Sequence, residues 1–432
     1  MAWDFETEPE FQRELDWMDA FVRDEVEPLD HLLGDPYDKS DARAMAILRP
    51  LQARVKERGL WACHLGEELG GPGFGQLRLA LMNEILGRSG WAPSVFGCQA
   101  PDSGNAEILA HYGSDTQKQR FLQPLLDGVI SSCYSMTEPH AGADPTLFTT
   151  RARRDGDHWV IDGEKWFSSN ARYASFLIVM AVTDPDVSPY EGMSMLIVPT
   201  DTPGVKIVRN VGVGTESEAH ASHAYIRYEN VRVPADHVLG KPGSAFVIAQ
   251  TRLGGGRIHH AMRTVAQLRR AFDMMCERAL SREVRGGKLA SLQMVQEKIA
   301  DSWIEIEQFR LLVMRTAWLI DRHKDYRKVR KDIAAVKVAM PKVYHDVVQR
   351  AMHLHGALGV SNEMPFARML MAAEVMGIAD GPTEVHKVTV ARQVLRDHKG
   401  VDGLWPSGHL PTKRAAARER FAHLLEHEVG NL

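Results

Sequence analysis

Three short segments hold residue types at spacings that could do chemistry. In Gly377-Ile-Ala-Asp-Gly-Pro-Thr-Glu-Val-His386 the Asp-Gly-Pro step breaks a helical pattern, and Pro382 suits the first turn of a new helix. Asp380 is then expected on a loop just before a helix N-terminus. A carboxylate there can serve as a base, and the helix end favours an anionic or electron-rich ligand group. On this segment alone, a carboxylate that merely caps the helix remains an equal alternative. Cys133-Tyr-Ser-Met-Thr-Glu-Pro-His-Ala-Gly-Ala-Asp144 mixes hydroxyls with small residues, which lets backbone and side-chain donors approach a flat polar ring. It could also be an irregular loop entering a sheet. In Gly163-Glu-Lys-Trp-Phe-Ser-Ser-Asn170 an aromatic followed by Ser168 and Ser169 could stack on such a ring and hydrogen-bond its edge, or be a strand with a buried aromatic.

Other chemistries lack their sequence marks. There is no GxGxxG turn, no GxxxxGK[ST] loop, no HExxH and no GxSxG. His259-His260 and His353/His355 are the closest histidine pairs, and neighbours on a helix point apart, so no metal is expected. Cys63, Cys98, Cys133 and Cys276 are widely spaced without a CxxC pair, which fits a reducing, cytoplasmic setting. The first ten residues are acidic, unlike a signal or transit peptide. Net charge is -4, so no global field recruits nucleic acid, and the basic clusters 151–154 and 323–331 read as solvated faces. The longest apolar run, Phe176 to Val182, is too short to span a bilayer.

The elements that must position these segments fall into blocks. With 432 residues, 44% of them hydrophobic and 25% charged, the chain is an ordinary globular protein of two or three domains. Residues 1–130 read as helical: Phe11, Leu15, Met18, Phe21, Val22 and Val26 recur at helical spacing up to Pro28, and 76–87 and 115–126 read likewise. Residues 131–245 carry strand signals at 158–161, 176–183, 193–199, 205–209 and 223–228, with Asp155-Gly156 and Asp162-Gly163 as hairpin turns. This pattern suggests an antiparallel barrel or sandwich. Strand signals stop after about Ser244, and residues 246–400 hold long amphipathic helices that suggest a bundle. Residues 401–432 read as a peripheral tail ending in a short charged helix.

Taken in order, the three segments resemble the acyl-CoA dehydrogenase family over about residues 10–398. Thr137-Glu-Pro with Gly142 and Asp144, Glu229-Asn-Val-Arg-Val-Pro234, His355-Gly-Ala-Leu-Gly359 and Ala391-Arg392 look like family signatures. Cys98-Gln-Ala-Pro-Asp-Ser-Gly-Asn105, Gly256-Arg-Ile-His-His260 and Ala379-Asp-Gly-Pro382 are similar to the branch of family members ten and eleven. The resemblance implies an α+β fold with an N-terminal helical domain, a middle antiparallel β-barrel and a C-terminal four-helix bundle. It also implies FAD, a CoA thioester substrate, a homodimer or homotetramer, and an electron-transfer flavoprotein as acceptor.

Residue roles follow from the same likeness. Asp380 would remove the substrate α-proton while hydride passes to flavin N5. Tyr134, Met136, Thr137, Phe167, Ser168 and Ser169 would meet the flavin ring, and Pro382 and Glu384 would meet FAD again after the base. Arg282 and Gln293 match residues that reach FAD from a partner subunit. His353, Gly356 and Ala357 match the segment near its adenosine or pyrophosphate. Gln99, Ala143 and Gly381 would line the substrate path, and Arg257 would stand near the base and CoA. The chain departs from the common family pattern in its aspartate base, in Arg285, in His353 and Ala357, and in Pro382, which has no N–H to give. Nitroalkane oxidases share the likeness and an aspartate base, and a flavin-bearing scaffold that binds nucleic acid is a further reading. The branch segments favour a CoA thioester, and an intact Asp380 favours an enzyme.

Overall fold

The computed structural model describes residues 5–214, 216–218 and 220–429, with main chain only at 426–429. Helices of eight residues or more are labelled in chain order. The first block holds α1 (Pro9–Phe21), α2 (Ala42–Glu57), α3 (Gly75–Leu86) and α4 (Asp102–Tyr112). The pattern expected up to Pro28 forms, but α1 passes into a π-helical turn over Val22–Val26. The stretch 115–126 is likewise a broken helix with a π-turn at Lys118–Leu122.

The middle block is a sheet of eight strands: β1 (Ser132–Ser135), β2 (Arg151–Asp155), β3 (His158–Ser169), β4 (Phe176–Val182), β5 (Met193–Pro199), β6 (Val205–Val211), β7 (His223–Pro234) and β8 (Val238–Leu239). They pair in the order β6-β7-β3-β2-β4-β5-β8, with β1 beside β4. Two pairings, β1–β4 and β2–β4, are parallel, so the sheet is mixed rather than wholly antiparallel. The turn after Asp155 forms, with Asp155 opposite His158. Asp162-Gly163 is not a turn: β3 runs through it on a bulge, with Gly163 at φ 145°. A Cβ there would lie 2.6 Å from the Thr150 backbone, so only glycine fits.

β4 shows why its sequence is an unbroken apolar run. Phe176, Ile178 and Met180 pack outward with Ile108, Leu109, Phe121 and Ile248, while Leu177, Val179 and Ala181 face inward among Trp159, Leu196 and Ile226. A strand buried on both faces loses the alternation that marks a half-exposed one.

The last block holds α5 (Ala245–Ser281), α6 (Gln293–His323), α7 (Arg330–His355), α8 (Phe366–Ile378) and α9 (Thr383–Arg396). Strands do not end at Ser244: a small hairpin, Glu283–Val284 with Gly287–Lys288, joins α5 to α6. The first helices share one apolar core with the bundle, in which Met18, Leu48, Met82 and Phe96 meet Met262, Val265, Phe309 and Val336. The tail forms α10 (Leu410–Arg420) and α11 (Ala422–Val429). Among the described residues no helix is long and apolar enough to cross a membrane.

Candidate active site

Asp380 sits on the bend between α8 and α9, with φ 56°, and Gly381 follows at φ 107°. Two successive left-handed residues turn the chain sharply, and aspartate is among the few side chains that tolerate that region. The bend is pinned through the Asp380 carbonyl, which accepts from Arg257 Nε at 2.9 Å and lies 3.3 Å from His386 Nε2. Lys337, buried in α7, donates its Nζ to the carbonyl of Met376 in the last turn of α8. Base, bend and the two preceding turns are thus fixed from α5, α7 and α9.

The Asp380 carboxylate stays free for chemistry. Its neighbour His260 Nε2 is 3.9 Å from Oδ2, beyond hydrogen-bond range. Burial pulls His260 down to about 4, even though Asp380 works the other way, so the ring is neutral near pH 7 and forms no ion pair. Burial also brings Lys337 down to about 8, with Asp380 opposing the shift, and lowers Arg257, again against Asp380. Burial and the Arg257 charge bring His386 to about 4. Two cations and two neutral imidazoles therefore surround one carboxylate.

Helix α5 approaches this carboxylate through three consecutive glycines. A Cβ at Gly254 would lie 3.1 Å from the Tyr326 ring, one at Gly255 2.9 Å from a Glu107 oxygen, and one at Gly256 3.0 Å from Asp380 Oδ2. Gly256→Ala should push the carboxylate aside. We expect flavin reduction by substrate to slow at least about tenfold, the scale of a misplaced reacting group, with FAD content unchanged. Rapid-mixing absorbance would show it, and an unslowed variant would mean that the carboxylate does not need this position.

The other segments meet on the sheet side. Tyr134 lies under Arg252, whose guanidinium carbon is 3.9 Å from the ring centroid, and burial with the nearby Asp380 charge raises its phenol. Arg252 also donates to Asn105 Oδ1 at 2.9 Å, and burial lifts the adjacent Glu107 to about 7 against Arg252. Tyr134 Oη is 3.6 Å from Met136 Sδ. The Thr137 carbonyl accepts from Trp166 N–H at 2.8 Å, tying the first loop to β3. At the end of β3 the bulge turns Phe167 outward at φ 54°, 40% exposed, with its ring stacked on His223 at 4.9 Å. Ser169 Oγ is 2.9 Å from His223 Nδ1.

Ser168 departs from the expected role. Its hydroxyl is wholly buried and 2.9 Å from Ser135 Oγ, which also meets Tyr228 Oη at 2.9 Å. Strand alternation turns it into the interior of the sheet domain, so its side chain cannot reach a ring outside. Ala143 and Glu384 are exposed, and Pro382 caps α9. Gln99 is buried, donates to Asp102 Oδ2 at 3.0 Å, and its Oε1 has no partner among the described residues.

Arg282, Gln293, His353, Gly356 and Ala357 are not brought to this place. They lie exposed at the far end of the bundle, just after α5, on the first turn of α6, and in and just past the last turn of α7. Arg282, the residue after α5, is twenty-five residues beyond Arg257, about 37 Å along a helix axis.

A buried ion pair supports the first loop. Lys165 Nζ donates to Glu138 Oε1 at 2.9 Å and to the Met136 carbonyl at 2.7 Å. Glu138 also accepts from the Thr149 and Thr150 N–H groups at 2.7 and 2.9 Å. Burial alone would raise the Glu138 carboxyl, but the Lys165 charge and these donors hold it at about 2. The sequence reading missed this pair, along with Lys337, His260 and His386. Two signals were available: a lysine on the apolar stripe Ile333, Val336, Met340, Tyr344, and a glycine triplet inside a helix.

Family models match nearly the whole chain: the acyl-CoA dehydrogenase N-terminal domain at residues 8–129, the middle domain at 133–231 and the C-terminal domain at 243–395. The chain belongs to the acyl-CoA dehydrogenase family. It is thereby an FAD-dependent oxidoreductase of that class. It is 42% identical to "Probable acyl-CoA dehydrogenase FadE2" of Mycobacterium tuberculosis, over 92% of this chain and 94% of that one. It is 40% identical to acyl-CoA dehydrogenase family member 11 of Gallus gallus, over 87% of this chain, and spans about half (49%) of that longer relative. The solved butyryl-CoA dehydrogenase of Megasphaera elsdenii superposes with a TM-score of 0.77 at 27% identity, covering 91% of this chain and all (100%) of that one.

Proposed function

We propose that the chain α,β-dehydrogenates an acyl-CoA thioester to the trans-2-enoyl-CoA, with Asp380 as the base. The observation that carries this reading is a carboxylate on a doubly left-handed bend, anchored by its main-chain carbonyl and without a hydrogen bond on its oxygens among the described residues. An ordinary aspartate is a weak base, so the bend must hold it against the substrate α-carbon in a place that excludes water.

FAD fits the residues present. Phe167 is an outward aromatic on a left-handed turn beside the Ser169 hydroxyl, and the loop carrying Tyr134, Met136 and Thr137 is tied to the same strand. When bound, the flavin supplies the two-electron acceptor. The chain's own groups do the rest. Asp380 takes the α-proton. Its N–H, or that of Gly381, would hydrogen-bond the thioester oxygen, on which charge develops, because Pro382 cannot. Arg257 and Lys337 offset the carboxylate charge, and Gln99 and Ala143 would line the path of the acyl group.

The cofactor residues stranded at the far end of the bundle support a homodimer or homotetramer in which Arg282, Gln293, His353, Gly356 and Ala357 of one chain complete the FAD site of another. An electron-transfer flavoprotein is the acceptor this reading favours, with a place in fatty-acid β-oxidation. The four free thiols fit a cytoplasmic location. The deciding experiment is anaerobic titration of the purified flavoprotein with acyl-CoAs of differing chain length. Bleaching of the flavin by one class gives reaction and substrate together. Bleaching by a nitroalkane alone, with oxygen as acceptor, would replace this reading by an oxidase.

A further inference from the structure

Phe167 holds φ 54°, in the left-handed region that bulky side chains rarely adopt. Strain of this kind persists only where neighbours over-determine it, and it gathers at ligand clamps. The neighbour here is His223. β3 and β7 pair with Ser169 directly opposite His223, after a register shift between Lys165 and Ser168 that leaves Phe167 out of the ladder. Cross-strand partners share one face of a sheet. The imidazole face stacks on the Phe167 ring at 4.9 Å and 25°, while its Nδ1 lies 2.9 Å from Ser169 Oγ. A single side chain thus fixes both the aromatic and the hydroxyl proposed to meet the flavin.

The bond to Ser169 has a direction. Burial pushes His223 below the usual imidazole range, against the opposing charge of Glu216, so the ring is neutral near pH 7. A neutral imidazole carries one N–H and one lone pair. His223 is half-buried, and its Nε2 has no hydrogen-bond partner among the described residues yet is not closed off from water. Water can therefore accept the ring proton at Nε2. Nδ1, on the Ser169 side, is left with the lone pair and accepts the hydroxyl proton. Ser169 has only that proton to give. With it committed to His223, Oγ turns lone pairs alone toward the proposed flavin edge.

We propose that His223 is a positioning residue for the flavin: it makes Ser169 a hydrogen-bond acceptor at the ring edge and thereby favours the reduced cofactor. The inference rests on the proposed flavin site. There, hydride leaves the substrate Cβ with two electrons for the flavin while Asp380 takes the α-proton. A ring nitrogen that has received hydride is an N–H donor, which an acceptor oxygen suits. The oxidised nitrogen has only a lone pair and gains nothing from that oxygen. A Ser169 hydroxyl released from His223 would instead turn its proton to the oxidised ring. His223 therefore tips a reversible hydride transfer toward product.

The midpoint potential of the bound flavin, measured by anaerobic dye-coupled reduction, tests this without substrate. His223→Phe keeps an aromatic face for Phe167 and loses Nδ1. Its FAD content should hold, while the ratio of reduced to oxidised flavin at a fixed potential falls about tenfold, or about 30 mV for a two-electron couple. His223→Asn, whose side-chain oxygen can accept from Ser169, should return the potential toward the wild-type value. With Ser169→Ala in place, His223→Phe should shift it no further. In nitrogen NMR of histidine-labelled protein, with the His223 signals assigned by their absence from either variant, Nδ1 should be the unprotonated nitrogen. An unchanged or raised potential in His223→Phe, or a protonated Nδ1, would overturn the inference and leave the proposed site standing. A wild-type protein that takes up no FAD would overturn both. If His223→Phe fails to fold or to hold FAD, the nitrogen spectrum and His223→Asn still decide.

Discussion

Asp380→Asn is expected to retain FAD and to lose reduction of the flavin by acyl-CoA by about 10²–10⁴-fold, the range that a positioned base contributes. The substitution is nearly isosteric. The anchors of the bend run to the main-chain carbonyl, through Arg257 and His386, so the loop should keep its shape. Among the described residues the carboxylate itself makes no hydrogen bond whose loss would unfold the region, its contact with His260 being 3.9 Å. Visible spectra would report the flavin, and anaerobic stopped-flow would report reduction. Normal reduction by the variant would remove Asp380 from the mechanism. Loss of flavin instead would show that the carboxylate serves cofactor retention.

Much of this site was legible because its chemistry is local in sequence. The Asp-Gly-Pro break placed Asp380 ahead of a helix, and the structure puts it there because Asp380 and Gly381 are residues that accept a left-handed bend. The long helices were legible for the same reason: the stripe Leu289, Leu292, Val295, Ile299, Trp303, Ile306, Phe309 and Val313 repeats every turn, although Leu289 and Leu292 precede α6. What could not be read depends on contacts far apart in the chain. Lys337 and Met376 are thirty-nine residues apart. Arg257 and Asp380 are one hundred and twenty-three apart, and only the family resemblance set Arg257 near the base. Nothing local distinguishes a lysine that reaches a distant carbonyl from one in solvent. Ser168 shows the reverse error. Adjacent hydroxyls look equivalent in a sequence, but the strand sends Ser169 out and Ser168 in. Asp162-Gly163 reads as a turn, but its glycine serves a bulge pressed against Thr150.

The second large effect is expected far from the base. Lys165→Met should cost about 3–5 kcal/mol of stability, the range for breaking a buried ion pair by removing one partner. Lys165 and Glu138 are 0% and 1% exposed in their side chains, so no solvent can take over the abandoned charge. Lys165 also holds the Met136 carbonyl, and Glu138 holds the main chain at Thr149 and Thr150, so the pair clamps both ends of the loop that carries Thr137. Loss of the lysine should therefore loosen flavin binding as well as lower the melting temperature. Pairing it with Glu138→Gln should be less harmful than the two single effects added, because the uncompensated charge is gone. Strict additivity of the two substitutions in denaturant titrations would show that the ion pair is not the source of the stability. The same pair sets a pH limit. A carboxyl held at about 2 in the fold, against an ordinary value near ~4.3, contributes stability that is complete above the higher value and fades as pH falls toward the lower one. Acid should then release flavin before it unfolds the helical bundle, because the loop that depends on Glu138 lies at the edge of the sheet domain rather than in the shared core of α1–α3 and α5–α7.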